Sequence, residues 1–435
     1  MRLYEIRRNV NVDLLAPDVV GPKILSDLSR LSKNVKVICL CEMLNDLGAS
    51  IPRPLLPVLY RILGATPLQY GIVEGLSSFF GMIGAAPAGS LSDKIGRKRI
   101  YCVGHAVMGV MRPTWVLVSS FWLLLPLRWL YTLGMAVRYA VRDPLLAEST
   151  TQETRGLTYA AYEISDCIGS FAGPFLSIII LAYVGQNMND IRTLFFLAAI
   201  PNLISVLMIV FHIKETVNLD RPAKETKDFL ARLRIIAEDK NLFHFTWITL
   251  LFTVFATAVD VEILYITFGP MKANALVTTI MFMFWTAATV LAALPAGRVV
   301  DRMGRKFGVI LSFCFYIMSM IAIIVHHYVL TSIILVLIAF ASLGLFDSFF
   351  SVSSRTFIAD NTSIENRGTL MGLYTTLDGV CRRSFAPIIA GFLFTLYSSI
   401  APFIVGLTVS MIATALLTRM TSEPYKSNRL SLRKT

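Results

Sequence analysis

Ionisable side chains occur inside long apolar segments of this chain, where burying a charge is costly. The first such segment contains Glu42, Asp46, Ser50 and Arg53, whose spacings of four, four and three residues put them on one face of a helix. Asp46 lies about ten residues into the segment, or about 15 Å at 1.5 Å per residue, which is close to the middle of a bilayer. A charged group at that depth costs at least about 2.5–3.5 kcal/mol on insertion scales, so each one is a candidate functional residue.

A basic face in a later apolar segment matches this acidic one. Its members, three, seven and four residues apart, are Arg128, Tyr131, Arg138 and Arg142. Burial disfavours the charged form of a carboxylate and a neighbouring arginine favours it, so a conformational change that alters the balance can move a proton. We predict that Asp46 is a proton-coupling carboxylate, with Glu42 as the second candidate and Arg128 as the modulating cation. A static ion pair and direct contact with a substrate are the alternatives.

The elements that position these residues are predicted to be membrane-spanning helices. The chain has 435 residues, 55% of them apolar and only 16% charged, against about 25% charged in soluble domains. A span needs roughly 20 apolar residues. Twelve windows satisfy this: 37–59, 68–90, 100–118, 120–140, 157–184, 191–213, 244–269, 273–295, 307–327, 330–352, 368–394 and 398–418.

The basic residues alternate between loops, which indicates orientation. Most of the formal charge of +12 lies near residues 97–99, 214–240, 302–306 and 426–434, which all fall on one side of the membrane. The other side has little beyond Arg61, Arg192 and Lys272. The positive-inside rule then puts both termini in the cytoplasm and accounts for the charge without nucleic acid.

The chain contains two copies of a half-length unit. GSLSDKIGRK, beginning at Gly89, returns as GRVVDRMGRK from Gly297, 208 residues later. AESTTQETRG, beginning at Ala147, returns as ADNTSIENRG from Ala359, at an offset of 212. Duplicated halves in a membrane protein predict a substrate site at the interface between them.

Five regions follow from these observations. We expect a cytoplasmic segment over 1–35 with a short surface helix, a six-helix half over 36–213, and a cytoplasmic linker with an interfacial helix over 214–243. A second six-helix half then covers 244–420, and a basic cytoplasmic tail covers 421–435.

The pattern G-x-[LV]-x-D-x-x-G-R-K, present in both halves, resembles the signature loop of the major facilitator superfamily. The resemblance extends over residues 36–418 and implies an all-α membrane protein with twelve transmembrane helices in two six-helix halves. It also implies that spans 1, 4, 7 and 10 line a central cavity, so that the acidic and basic faces meet. Arg128 with Tyr131 and Gly134 is similar to a motif of proton-coupled members, and Gly169-x-x-x-Gly173-Pro174 is similar to the end of the antiporter motif.

The resemblance implies gating roles for the signature loops. Glycine permits close helix approach and tight turns, and Asp93 could meet a helix N-terminus or an arginine across the inner seam between the halves. Such a contact would latch one transport state; the alternative is that these charges only fix topology. The gating candidates are Gly89, Asp93, Gly96, Arg97, Asp301, Gly304, Arg305, Arg142 and Asp143.

Other polar side chains in the apolar windows are candidates for lining the cavity or contacting a substrate. They are Asn45, Tyr131, Arg138, Glu163, Asp166, Asp260, Asp347, Asp378, Arg382 and Arg383. Asp378 and Arg382 are four residues apart and can neutralise each other, which leaves Arg383 without an obvious local partner. Asp166 and Asp378 are equivalent at the 212 offset, which fits an inherited structural role as well as a site role.

The sequence therefore predicts a secondary active transporter, with proton-coupled export of amphipathic small molecules as the favoured activity. The alternatives are a proton-linked carrier of small organic anions, a divalent metal exporter, and a non-transporting membrane sensor. No Walker A loop, H-E-x-x-H or G-x-S-x-G motif occurs, so we expect no enzymatic activity and no direct use of ATP. We expect a monomer in the plasma membrane whose partners are a small-molecule substrate, protons and the lipid bilayer, with no cofactor, bound metal or nucleic acid.

The predicted orientation can be tested by thiol labelling. A single cysteine placed in the 214–243 loop of a cysteine-less variant should be protected from membrane-impermeant reagents in right-side-out vesicles. A cysteine at Ser119, in the loop expected outside, should react. Labelling of the 214–243 position from outside would reverse the orientation.

Overall fold

The computed structural model describes residues 30–151, 154–216, 236–255, 258–362 and 367–422, and within these ranges every regular element is a helix. The helices form twelve spans. In order, they are Lys33–Ser50 with Leu56–Ile62; Pro67–Ile83 with Ala85–Ile95; Arg97–Thr114; Leu124–Glu148; Arg155–Val184; Met188–Leu197 with Ala199–His212; Lys240–Phe255 with Ala258–Phe268; Ala275–Met303; Arg305–Tyr328; Ile333–Asp360; Arg367–Val380 with Ala386–Leu396; and Ala401–Met420. The predicted arrangement of two six-helix halves is confirmed. The two expected surface helices, near 24–31 and 229–236, fall almost wholly outside the described residues.

The spans differ in how apolar they are. Seven described helices are long and apolar enough to cross a membrane alone, and a bent pair in span 2 makes an eighth. Spans 1 and 4 fail this test because they contain the acidic and basic faces. Spans 4, 8 and 10 continue several residues beyond the predicted windows, because their last turns are helical but charged. Large apolar side chains such as Phe211, Leu291 and Leu294 are exposed on the surface of the helices, as a lipid-facing surface requires.

Local sequence sets the ends of the helices. Span 2 begins with a capping box in which Thr66 and Gln69 satisfy each other's backbone N–H groups, with Pro67 at the first helical position. The breaks before spans 3 and 9 fall at Gly96 and Gly304, whose φ angles are 106° and 108°. Only glycine adopts this conformation without strain, so the tight turn expected in both signature loops is present.

The two halves meet at one end. We call the membrane face reached by Lys33 and Met420 the terminus side, and the opposite face the far side. On the far side, the guanidinium of Arg61 donates to the carbonyl of Thr267 at 2.8 Å, and the backbone N–H of Leu68 donates to Thr395 at 3.1 Å. On the terminus side, the ion pairs of each signature loop among the described residues join side chains of the same half. This is a conformation closed at the far side.

Glycines bring spans 2 and 11 into backbone contact in the closed seam. A Cβ at Gly71 would lie 2.2 Å from the carbonyl oxygen of Pro387, and one at Gly75 would lie 2.4 Å from that of Ser384. A Cβ at Gly391 would lie 2.4 Å from the carbonyl oxygen of Pro67. These backbone atoms cannot move aside as a flexible side chain can, so any larger residue would separate the helices.

We predict that Gly71→Val opens the far side. Spin labels at Ser119 and Ser398, in far-side loops of the two halves, should report a several-fold larger population at long distances. Gly372→Val is the control, because a Cβ at Gly372 on span 11 meets no described atom within 4 Å. Unchanged distances in Gly71→Val would show that this packing does not hold the seam closed.

Candidate functional site

A cavity of about 330 Å³ lies between the halves. Spans 1 to 5 supply most of its wall, and Ile263, Arg383 and Pro387 of the second half complete it. Many of its lining side chains are charged or aromatic. We call this space the central cavity.

Two carboxylates of span 1 share one arginine of span 4. Glu42 is fully buried behind the cavity wall and accepts hydrogen bonds from the Tyr101 hydroxyl at 2.5 Å and from Arg138 Nη1 at 2.9 Å. The same Arg138 nitrogen lies 3.4 Å from Asp46 Oδ1. His105 Nε2 is 3.5 Å from the Glu42 carboxylate. Arg138 therefore neutralises Glu42 directly and Asp46 more weakly.

Asp46 lies on the cavity wall with an incomplete set of partners. Its Oδ1 accepts a hydrogen bond from Asn45 Nδ2 at 2.9 Å, whereas its buried Oδ2 has no hydrogen-bond partner among the described residues. The carboxyl group of Asp166, on span 5, is close enough to interact with it and also lines the cavity. A buried carboxylate beside a second one and a shared arginine has competing reasons to hold or release a proton.

Glycines on span 5 make this approach possible. A Cβ at Gly169 would lie 2.4 Å from the carbonyl oxygen of Met43, and one at Gly173 would lie 2.5 Å from the Cβ of Ser50. Spans 1 and 5 therefore touch through their backbones, and Asp166, one turn before Gly169, is carried to Asp46. The motif similar to the antiporter motif thus has a packing role at this site.

The acidic and basic faces had suggested that Arg128 lies beside Asp46. In the structure, Arg128 pairs with a different carboxylate. Its guanidinium forms a two-pronged ion pair with Glu74 of span 2, with Nε 2.8 Å from Oε1. Glu74 also accepts from the Tyr60 hydroxyl at 2.8 Å, and the Arg128 guanidinium stacks 4.7 Å above the Trp115 ring. The cation expected beside Asp46 is Arg138 instead.

The sequence analysis did not single out Glu74, and it also missed Arg112. Arg112 is fully buried on span 3, and its Nη2 donates to Asn45 Oδ1 at 3.1 Å and lies 3.4 Å from the Tyr131 hydroxyl. Asn202 also donates to Asn45 Oδ1, at 3.0 Å. Asn45 thus links the Arg112 cation to Asp46. Glu74 and Arg112 are both charged residues inside predicted apolar windows. A charge in such a window is costly and therefore a functional candidate, so the reasoning applied to Glu42 and Asp46 would have indicated both.

In the second half, a compact ion-pair group joins spans 10 and 11. Arg382 Nη1 lies 2.8 Å from Asp347 Oδ1, and its Nε lies 3.9 Å from Asp378 Oδ2. Asp347 also accepts from Trp285 Nε1 at 2.7 Å. Arg383, the next residue, lines the central cavity, and its described contact is the sulfur of Met135 at 3.4 Å.

The remaining candidates with described side chains do not line the cavity. Glu163 is exposed on the surface of span 5, and the side chain of Asp260 is not among those described. Arg142 bonds to Asp143 at 2.8 Å and to the Tyr162 hydroxyl at 2.6 Å. A Cβ at Gly89 would meet no atom of the described residues within 4 Å, so the close helix approach expected there is not seen in this conformation.

The two repeated motifs contact each other within each half. Arg97 pairs with Asp93 at 3.1 Å and with Glu148, of the second motif, at 2.7 Å. The equivalent Arg305 pairs with Asp360 at 2.7 Å and lies 3.7 Å from Asp301.

Span 3 also receives an acidic cap at this end. Glu215 accepts hydrogen bonds from the backbone N–H groups of Arg97 and Lys98, at 2.9 and 3.2 Å. The contact expected for Asp93 across the seam is not among those of the described residues. The ion pairs of Arg97 and Arg305 instead hold together the terminus-side ends of the spans within each half.

Comparison with known proteins agrees with this architecture. The family model of the Major Facilitator Superfamily matches residues 38–273 and 250–434, and the chain belongs to that family. It is therefore a multi-pass membrane protein and a secondary transporter of small molecules that works by alternating access.

Two relatives and one solved structure illustrate the proteins to which this chain is similar. An uncharacterized MFS-type transporter of Methanocaldococcus jannaschii is 26% identical over 395 residues, or 88% of this chain and 96% of the relative. The class B tetracycline resistance protein of Escherichia coli is 25% identical over 191 residues, 43% of this chain and 46% of that protein. The crystal structure of the nucleoside transporter NupG superposes with a TM-score of 0.69 at 14% identity, covering 89% of this chain and 98% of the other.

We predict that the Glu74–Arg128 pair is structural. Glu74→Gln would leave a buried guanidinium without its carboxylate and should lower the free energy of unfolding by about 3–5 kcal/mol. Adding Arg128→Met should recover part of the loss in denaturant titrations of the purified protein.

Glu148→Gln is the matched control. It breaks a pair whose carboxylate side chain is 35% exposed, and it should cost less than about 1 kcal/mol. An equal loss of unfolding free energy in Glu74→Gln and Glu148→Gln would mean that the Glu74–Arg128 pair stabilises the fold no more than an exposed ion pair does.

Proposed function

We propose that this transporter couples the export of amphipathic small molecules to proton movement, with Asp46 as the proton carrier. The observation that carries the proposal is the environment of Asp46: a carboxylate on the cavity wall with one oxygen unpartnered in the described part of the chain, a second carboxyl group beside it, and an arginine shared with Glu42. Glu42 is sealed behind the wall and holds the closer contact with Arg138. Asp46 is therefore the better candidate for exchange with the cavity.

The proposed coupling step depends on competition for Arg138. In this conformation its Nη1 is closer to Glu42 than to Asp46, by 2.9 against 3.4 Å. A shift of the Arg138 side chain from Glu42 towards Asp46, within the first half, would favour the ionised form of Asp46 and release its proton, and the reverse shift would favour rebinding. Arg138, rather than Arg128, takes the modulating role.

We place the terminus side in the cytoplasm of the cell and the protein in the plasma membrane. The basic loops support this orientation. The conformation closed at the far side would then be inward-facing. In this state the central cavity can accept a substrate from the cytoplasm, as an exporter requires.

The gating proposal follows from the same orientation. The groups around Arg97 and Arg305 would hold the cytoplasmic ends of each half as units while the halves separate. In the outward-facing state, Asp93 could exchange Arg97 for a partner across the seam, as the family resemblance implies.

The cavity wall supports an amphipathic substrate. Trp115, Tyr131 and Tyr139 contribute aromatic surface, and Asn45, Ser50 and Ser78 contribute hydrogen-bonding groups. A volume of about 330 Å³ is at the small end of the range for ligand pockets. The metal-exporter alternative has no supporting observation, since no group of three His, Cys, Asp or Glu side chains in the described ranges could hold a metal ion.

Asp46→Asn tests the coupling. It preserves volume but removes the titratable group, so pH-gradient-driven transport should be lost while exchange of substrate for substrate continues. The assay uses proteoliposomes and a panel of cationic, neutral and anionic amphipathic dyes. Failure of the wild type to move any dye would contradict the proposed export of amphipathic molecules.

Glu262→Gln is the matched control for this variant. Glu262 is a fully buried carboxylate that does not line the cavity and accepts a hydrogen bond from Ser319. Its replacement should leave gradient-driven transport intact. Gradient-driven transport by Asp46→Asn would remove Asp46 from the coupling mechanism, and the static ion pair would then be the better explanation.

A further inference from the structure

We propose that the substrates of the central cavity carry a carboxylate, which binds to Arg383 at the boundary between the halves. This inference rests on the proposed function, because it takes the central cavity as the transport site. It identifies one cation as the anion-binding group and makes the substrate class small amphipathic monocarboxylates.

The first step is the distribution of charge around the cavity. The Arg128 guanidinium is held by Glu74, and that of Arg138 by Glu42 and Asp46. Arg382 does not line the cavity and is held by Asp347. Of the cavity-lining arginines Arg128, Arg138 and Arg383, only Arg383 has no carboxylate within 4.0 Å among the described residues. Arg53 also lines the cavity, and its guanidinium lies over the Phe282 and Trp285 rings, 5.2 and 5.1 Å from their centroids.

The second step is the contact that Arg383 does make. Its Nη1 reaches across the seam to the thioether of Met135 on span 4, at 3.4 Å. A thioether is a weak acceptor and carries no charge, so it does not compensate a guanidinium. The head group is exposed to the cavity and keeps donors available for a planar, two-oxygen anion, the geometry that arginine binds best.

The third step is the backbone that directs Arg383. Residues Cys381–Phe385 form a π-helical turn between the two parts of span 11. Such a turn inserts one residue into an α-helix and is frequent at functional sites. Here the adjacent side chains diverge: Arg382 contacts Asp347 and lies 5.7 Å from the Phe350 ring centroid, inside the second half, whereas Arg383 faces the first half.

The substrate class follows from what surrounds Arg383. The cavity wall combines this cation with the aromatic rings of Trp115, Tyr131 and Tyr139. The volume of about 330 Å³ suits a molecule with one ring or a short alkyl chain. A carboxylate at Arg383 with its apolar part towards span 4 would contact both halves at once, so binding would depend on how the halves are arranged.

Binding of matched probes to the purified full-length protein tests the inference. The carboxylates benzoate, phenylacetate and hexanoate are compared with the corresponding amides, which have nearly the same shape and no charge. At least one carboxylate should bind the wild type at least ten-fold more tightly than its amide, by calorimetry and by thermal stabilisation. Arg383→Gln should remove that preference, and Arg383→Lys should restore part of it.

Arg355→Gln is the control, because Arg355 is an exposed arginine of the second half that does not line the cavity. It should bind all probes as the wild type does. Thermal stability without ligand should be unchanged in Arg383→Gln, since its described partner is neutral. Equal binding of acids and amides to the wild type, or an undiminished preference in Arg383→Gln, would overturn the inference.

The outcomes separate this inference from the proposed function. Proton-driven movement of neutral or cationic dyes without any carboxylate preference would contradict the role of Arg383 and leave coupling through Asp46 standing. Tight, Arg383-dependent carboxylate binding together with gradient-driven transport in Asp46→Asn would support the role of Arg383 and contradict coupling through Asp46.

Discussion

The organisation of the first half depends on one guanidinium shared by two carboxylates in a low-dielectric interior. Arg138 contacts Glu42 and Asp46, and the surrounding residues complete what it cannot supply: Tyr101 donates to Glu42, and Asn45 donates to Asp46. Unpaired buried charges cost several kcal/mol each, so spans 1, 3 and 4 must stay in register to keep these contacts. The same requirement explains why glycines, rather than larger residues, face span 1 from span 5.

The seams are built on a different principle from the interiors of the halves. On the far side, spans 2 and 11 meet through glycines packed against backbone carbonyls and through the hydrogen bond from Leu68 to Thr395, with no ion pair between them among the described residues. On the terminus side, ion pairs such as Arg97–Glu148 and Arg305–Asp360 join spans within a half. Strong ties inside each half and steric packing between them are what two rigid bodies that rock against each other require.

Much of this could be predicted from the sequence because the signals are periodic or repeated. The twelve windows, the duplicated loops and the acidic face of span 1 all follow from spacing alone. Spacing within a helix does not determine how far that helix is shifted along its axis relative to a neighbouring helix, however. Arg128 and Arg138 share a face but are ten residues apart, about 15 Å along the helix, so which of them meets Asp46 depends on tertiary packing. The partners Glu74 and Arg112 are single charges without periodicity, and the π-helical turn in span 11 leaves no sequence pattern that we recognised.

The buried charges are distributed unequally between the halves. At and behind the cavity wall, the first half contains Glu42, Asp46, Arg112 and Arg138. The core of the second half instead contains an aromatic cluster of Phe252, Phe313, Tyr316, Phe346 and Phe350, with one fully buried carboxylate, Glu262, among its described residues. Binding a proton at Asp46 would therefore change the charge of one rocking body only. A charge moved across a full 100 mV membrane potential is worth about 2.3 kcal/mol. Even a fraction of that displacement would make the rocking equilibrium sensitive to membrane voltage in one protonation state more than in the other.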